Sequence, residues 1–124
     1  MIRVLVVDDH AVVRSGLRLL IDAEEDMETV GEAGNVRDAI FEARTSNPDL
    51  ILMDVVMPNL NGFQATRAIT REATTKHIPV ILVTTKDQDT DRVWGMRQGA
   101  KAYLTKPFSE DELASVILGH LGSA

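Results

Sequence analysis

Residues 4–9 read VLVVDD, four apolar residues closed by two adjacent carboxylates. With Ile2 and Arg3 ahead of it, the run Ile2–Val7 is rich in β-branched side chains and shows little alternation. That is the pattern of a strand covered on both faces, as in a parallel sheet. The two carboxylates pose the question that decides the rest. At about 4 Å and an effective dielectric of ~20, like charges repel by on the order of 4 kcal/mol. Asp8 and Asp9 therefore need a neutralising partner or complete solvation.

Outward from this strand, β and α patterns alternate about every 25 residues. Val13, Leu17, Leu20 and Ile21 follow helical spacing. Thr29–Ala33 is a weaker strand, expected near an edge. Asn35 can cap a helix with Val36, Ile40 and Ala43 on its apolar face, ended by Asn47-Pro48. Leu50–Met53 is a third buried strand running into Asp54, and the turn VVMPNLNG leads to a helix around Phe63–Glu72. Gly62 suits the tight turn there, and Met57-Pro58 shapes the loop. Val80–Val83 is a fourth strand ending at Thr84, and a helix near Asp89–Gln98 stops at Gly99, a glycine suited to a helix end. Ala102–Leu104 is a short fifth strand before Thr105-Lys106-Pro107. Ser109 and Glu112 form a capping-box pattern for a last helix with Leu113, Val116, Ile117 and Leu121 inward. Five strands alternating with five helices predict an α/β fold, a parallel sheet with helices on both faces.

The totals agree with one domain over residues 1–124. The 124 residues are 44% hydrophobic and 26% charged, an ordinary globular composition. No apolar run approaches ~20 residues, so no membrane insertion is expected, and Met1-Ile2-Arg3 leads directly into the first strand without a signal peptide. There is no cysteine, which excludes disulfides and thiolate metal sites and fits a cytoplasmic setting. The net charge of −6 argues against direct nucleic-acid binding, and it suits a cation or a basic protein surface.

Right-handed βαβ crossovers bring the carboxyl ends of all parallel strands to one edge, where ligands of such sheets bind. Asp8 and Asp9 follow the first buried run, Asp54 the third, Thr84 the fourth and Lys106 the fifth. An oxygen-rich pocket of three carboxylates suits a hard divalent cation. Mg²⁺ fits best, because it takes one or two carboxylates and completes its shell with water and phosphate oxygens. His10, His77 and His120 are dispersed in sequence; His10 lies near the rim but is a weak ligand candidate alone.

These residues together, VDD, LILMDVVMPNLNGF, ILVTT and AYLTKPF, closely resemble the receiver domain of two-component response regulators. The resemblance spans the whole chain with the functional positions in order. It implies a flavodoxin-like doubly wound (βα)5 fold with strand order 2-1-3-4-5. It implies that Asp54 is phosphorylated, as nucleophile toward a phosphohistidine on a sensor histidine kinase or phosphotransfer protein. Asp9 and Asp54 would hold Mg²⁺, Asp8 mainly through water, and the Val56 carbonyl would add a main-chain ligand. Lys106 would reach the phosphoryl oxygens as a point charge, with a cis Pro107 aiming it inward. Thr84 would donate its hydroxyl to the phosphoryl group, and Tyr103 would turn inward as the second half of the switch. The readout surface would be the fourth helix, fifth strand and fifth helix, roughly Asp89–Gln98, Ala102–Leu104 and Glu110–His120. A downstream protein would bind there, with the chain a monomer or a phosphorylation-dependent dimer. Each residue also has a plainer reading: Asp8 and Asp9 as helix N-terminal charge, Lys106 as a surface lysine, Thr84 as a strand-end threonine, Tyr103 as a half-buried aromatic. Trp94 reads as a packing residue, and Gly95 lowers the stability of its helix by roughly 1 kcal/mol against alanine.

Two departures matter. Thr85 stands where receivers usually carry a small residue, with Lys86 next, and Val56 offers no side-chain hydrogen bond to water. Both predict slow self-dephosphorylation. The head, VLVVDDHAVVRSGLRLLI, is similar to receivers that carry a helix-turn-helix output domain, whereas NGFQATRAI onward is similar to stand-alone receivers. The chain could therefore be a fragment or chimera of a DNA-binding response regulator, although no output domain is read in these 124 residues. A rival class is an aspartate-nucleophile phosphohydrolase, which needs an acid where Val56 stands. A third is an interaction module that no longer uses phosphate, against which Asp9, Asp54 and Lys106 are all retained. No P-loop motif occurs.

Overall fold

The computed structural model describes residues 1–54, 56–57, 60–85, 96–106 and 108–121. Five parallel strands form the centre: β1 (Ile2–Val7), β2 (Met27–Ala33), β3 (Leu50–Asp54), β4 (Val80–Thr85) and β5 (Ala102–Lys106). Their order is β2-β1-β3-β4-β5. The weaker strand β2 is indeed at an edge, and the strongly apolar β1 and β3 are interior. Helices α1 (Ala11–Asp22), α2 (Val36–Ser46) and α3 (Gly62–Arg71) and a C-terminal helix (Glu110–Leu121) cover the sheet. This is the flavodoxin-like doubly wound architecture.

Period-two alternation along the strands divides the core into two layers. Leu5, Val7, Ile51, Met53, Val80 and Leu82 face α2 and α3, meeting Ala39, Ala43, Ala65 and Ile69. Val4, Val6, Leu50, Leu52, Ile81 and Val83 face α1 and the C-terminal helix, meeting Leu17, Ile21, Leu113 and Ile117. The small alanines of α2 and α3 let those helices approach closely. The inward residues expected for α1 and α2 all lie in these layers, as do Val116 and Ile117 of the C-terminal helix.

The expected helix ends are present. The Asn35 side chain accepts a hydrogen bond from Asp38 N at 2.8 Å, and Asn47 ends α2 at φ 46°. Gly99 has φ 107°, a left-handed conformation. Ser109 and Glu112 exchange a reciprocal pair: Glu112 N donates to Ser109 Oγ at 3.1 Å and Ser109 N to Glu112 Oε1 at 3.3 Å. Between α2 and the turn after α3, Arg44 Nε donates to both carboxylate oxygens of Glu72, at 2.8 and 3.0 Å. That bond holds the Glu72 carboxyl below its ordinary range and Arg44 above its own.

The structure adds one element to the sequence reading. Val56–Met57 and Leu60–Asn61 pair as a two-residue antiparallel ribbon between Asp54 and α3. Of the expected helix near Asp89–Gln98, residues 96–97 are helical and 89–95, with Trp94 and Gly95, lie outside the described residues. Pro58, Lys86 and Pro107 lie outside them too, as do the side chains of Thr85, His120 and Leu121. No helix among the described residues is long and apolar enough to cross a membrane.

Candidate functional site

The carboxyl edge of the sheet gathers the expected polar residues. Asp8 follows β1, and its amide continues the β1–β2 ladder by donating to the Ala33 carbonyl at 3.0 Å. Its side chain is fully buried, and Oδ1 accepts from the His10 amide at 2.8 Å. His10 is the residue before α1 and makes no side-chain cap of its own, so Asp8 binds an amide at the start of that helix. The plainer reading of Asp8 as helix N-terminal charge therefore holds alongside any other role. Arg14, one turn into α1, donates to the Asp8 main-chain carbonyl and pairs with Glu32 at 3.5 Å.

Asp54 is the last residue of β3 and is 4% exposed. Lys106 is the last residue of β5, two strands away. Its Nζ lies 3.8 Å from Asp8 Oδ2 and 3.8 Å from Asp54 Oδ1. Lys106 shares strand parity with Leu104, and Asp8 and Asp54 continue the parity of Val6 and Leu52, so all three lean toward one side of the sheet edge. The ammonium thus bridges two buried carboxylates that belong to different strands. Surface lysines do not do this by default, and burial of paired carboxylates without a cation would cost several kcal/mol.

Asp9 is partly exposed, and its carboxylate lies 2.9 Å from His10 Nδ1, which is also 3.4 Å from Asp8 Oδ1. One ligand atom from each of Asp8, Asp9, His10 and Asp54 falls within 4.8 Å of all the others. Asp8 Oδ2 accepts no hydrogen bond among the described residues, although it is buried. Lys106 neutralises one of the three carboxylates, which leaves an excess negative charge facing an unsatisfied oxygen. That donor set fits a hard divalent cation. His10 is closer to this cluster than its sequence position alone suggested; adjacency to Asp9 was visible, but the direction of its ring was not. His77 is a surface residue.

Thr84 sits one residue beyond the register partner of Asp54 on β4. Its side chain is buried, and its hydroxyl has no hydrogen-bond partner among the described residues. An unmet buried hydroxyl costs about 1–3 kcal/mol. Thr84 shares parity with Leu82 and therefore faces the α2–α3 layer. Tyr103 pairs in register with Leu82 and packs, half-buried, against the same layer. The two switch candidates thus lie on the same face. Val56 contributes the first residue of the short ribbon directly past Asp54.

Across residues 4–118 the sequence matches the response regulator receiver domain family. The chain belongs to that family. It is 51% identical over 117 residues to the protein PilH of Pseudomonas aeruginosa, covering 94% of this chain and 95% of PilH. It is 42% identical over 111 residues to the transcriptional regulatory protein YdfI of Bacillus subtilis, covering 90% of this chain and 51% of YdfI. The receiver thus spans nearly all of one relative and about half of the other. Among solved structures, the chemotaxis protein CheY4 of Vibrio cholerae superposes with a TM-score of 0.87 at 28% identity, over 96% of this chain and 98% of that one. Receivers of this family serve phosphorylation-dependent signalling and are mostly not enzymes in their own right. Both relatives align over most of the receiver.

Proposed function

We propose that this receiver is a signalling switch in which Asp54 takes a phosphoryl group from a phosphohistidine on a sensor histidine kinase or phosphotransfer protein. The observation that carries the reading is the Lys106 ammonium held 3.8 Å from both Asp8 and Asp54. An Asp54 oxygen forms the new O–P bond as the N–P bond of the donor breaks and the imidazole departs. Such a transfer passes through a loose, charge-rich transition state, so alignment and neutralisation supply most of the catalysis. Lys106 supplies a fixed positive charge to the phosphoryl oxygens, and Thr84 supplies a buried hydroxyl that has no partner among the described residues. Asp8, Asp9, Asp54 and the Val56 carbonyl would hold Mg²⁺, which supplies further charge neutralisation when bound.

The phosphoryl group, by analogy with other phospho-residues, carries about −1.5 to −2 charges and replaces the single negative charge of the Asp54 carboxylate. Movement of Thr84 toward that group vacates space on the face it shares with Tyr103, and Tyr103 turns into it. The change is read on β5, the C-terminal helix and the segment before Gly99. Met96 and Leu118 on that surface are exposed apolar side chains, 43% and 42% accessible, which suit a protein partner. The acidic chain is expected to work in the cytoplasm without touching nucleic acid directly, as a monomer or a phosphorylation-dependent dimer. A phosphohydrolase is disfavoured, because Val56 puts an apolar side chain where the second acid belongs.

The test uses acetyl phosphate as donor. Intact-mass measurement should show one phosphoryl group gained with Mg²⁺ and none in EDTA, and peptide mapping should place it on Asp54. Uptake at another residue, or uptake indifferent to the chelator, would overturn the assignment. The label should then persist for minutes after the donor is removed, because Thr85 stands where receivers usually carry a smaller residue and Val56 has no side-chain hydrogen bond to offer a water. Loss within seconds would show that neither position limits hydrolysis.

A further inference from the structure

A second charged site lies at the opposite edge of the sheet. Arg71 at the end of α3, Lys76 in the turn beyond it, Arg97 and Lys101 line one cavity of about 280 Å³ together with Thr70 and Gly99. Among the described residues no carboxylate lines it. These are four of only 13 lysines and arginines in a chain of net charge −6. None of the four makes an ion pair among the described residues. Glu72, the acid next to Arg71 in sequence, is held by Arg44 instead. By contrast Arg3, Arg14, Arg18, Arg44 and Lys106 all pair with carboxylates. Mutual repulsion of four cations at one cleft is a cost that an anion would remove.

The four cationic side chains are exposed, and the backbone that carries them is tied together. Thr70 Oγ1 lies 2.9 Å from the Gln98 carbonyl and 2.8 Å from that of Thr66, tying α3 to the segment before Gly99. Gly99 has φ 107°, and a Cβ there would stand 2.5 Å from Thr70 Oγ1. The Lys101 amide donates to the Val80 carbonyl at 2.9 Å, anchoring the cavity to the start of β4. Lys101 precedes β5, whereas Asp54 and Lys106 close β3 and β5. At ~3.3 Å per residue the two sites are separated by roughly the length of a strand.

We propose that this cavity binds a di- or triphosphate group, either as free polyphosphate or as the phosphate chain of a nucleotide. Three or four negative charges on a short chain match the four cations that line one cavity. The volume falls just below the usual range for whole small molecules, ~300–1,000 Å³, so a phosphate chain fits and a nucleotide's base and sugar project outside. The inference is independent of phosphorylation at Asp54.

The test is titration of the ¹⁵N-labelled chain with tripolyphosphate and, separately, ATP, followed by NMR in EDTA at low salt. Saturable shifts should centre on Thr70, Gly99 and Lys101. The double variant R97Q/K101Q should weaken binding at least about tenfold, whereas R37Q, the same charge change on the exposed surface of α2, should alter it less than about twofold. Equal affinity for the two probes assigns binding to the phosphate chain alone, and tighter ATP binding adds contacts from its base; either supports the site. Shifts centred on Lys106, equal losses in R37Q, or tighter binding of poly-glutamate than of tripolyphosphate would overturn it. Circular dichroism of each variant verifies that its fold is retained.

Discussion

Asp54→Asn is expected to take up no detectable phosphoryl group from acetyl phosphate under conditions that label the parent chain. The amide has the shape of the carboxylate and sits at a strand end that is 4% exposed, so the sheet has no reason to repack. What it lacks is a nucleophilic oxygen. Lys106 retains Asp8 as a partner at 3.8 Å, so the ammonium stays in place. Lys106→Met gives the complementary result. It leaves the nucleophile but removes the fixed charge aimed at the phosphoryl oxygens, and the labelling rate should fall by roughly 10²–10³-fold, the usual effect of deleting one preorganised charge-stabilising group. Intact-mass time courses with acetyl phosphate and Mg²⁺ separate the two. Labelling of Asp54→Asn at Asp8 or Asp9 at the parental rate would show that the cluster, and not Asp54, is the acceptor. An unchanged rate in Lys106→Met would reduce the 3.8 Å contacts to a structural ion pair.

The strands and the residues at their ends were legible in the sequence because each rests on a strong local signal, whereas the strand order came only from the resemblance to receivers. Ile2–Val7 and Leu50–Met53 are apolar enough to require cover on both faces. Asn35, Ser109 and Glu112 carry capping chemistry that needs nothing beyond the adjacent turn. The short ribbon at Val56–Met57 and Leu60–Asn61 was not legible, since two residues per strand are too few for any period to register. The His10 ring is a different case. Its place beside Asp8 and Asp9 is plain in the chain, but its direction depends on the bond from its own amide to Asp8 Oδ1. The basic cavity was invisible for a third reason. Arg71, Lys76, Arg97 and Lys101 form no run and share no helical face; α3 and the segment before β5 bring them together only once the sheet has formed.

Asp8→Asn is expected to have opposite effects on stability and on metal response. Asp8 is fully buried, and ligand atoms of Asp9 and Asp54 lie within 4.8 Å of its own. At about 4–5 Å and an effective dielectric of ~20, each like-charge pair is unfavourable by roughly 3–4 kcal/mol, and Lys106 at 3.8 Å offsets about one of them. The asparagine oxygen can still accept from the His10 amide, so the hydrogen bond that seats α1 survives. In EDTA the variant should therefore be more stable by about 1–3 kcal/mol after relaxation, a rise in Tm of several degrees for a chain of this size. A ligand that binds only the folded state stabilises in proportion to the logarithm of its concentration over Kd. The parent should gain stability as Mg²⁺ is added, and Asp8→Asn should gain little, so the two melting curves converge or cross as the ion is titrated. Thermal unfolding monitored by circular dichroism, with EDTA and with graded Mg²⁺, reads both effects in one experiment. A variant less stable than the parent in EDTA would mean that Lys106 already balances the three carboxylates, and the electrostatic case for a cation at this edge would fall with it.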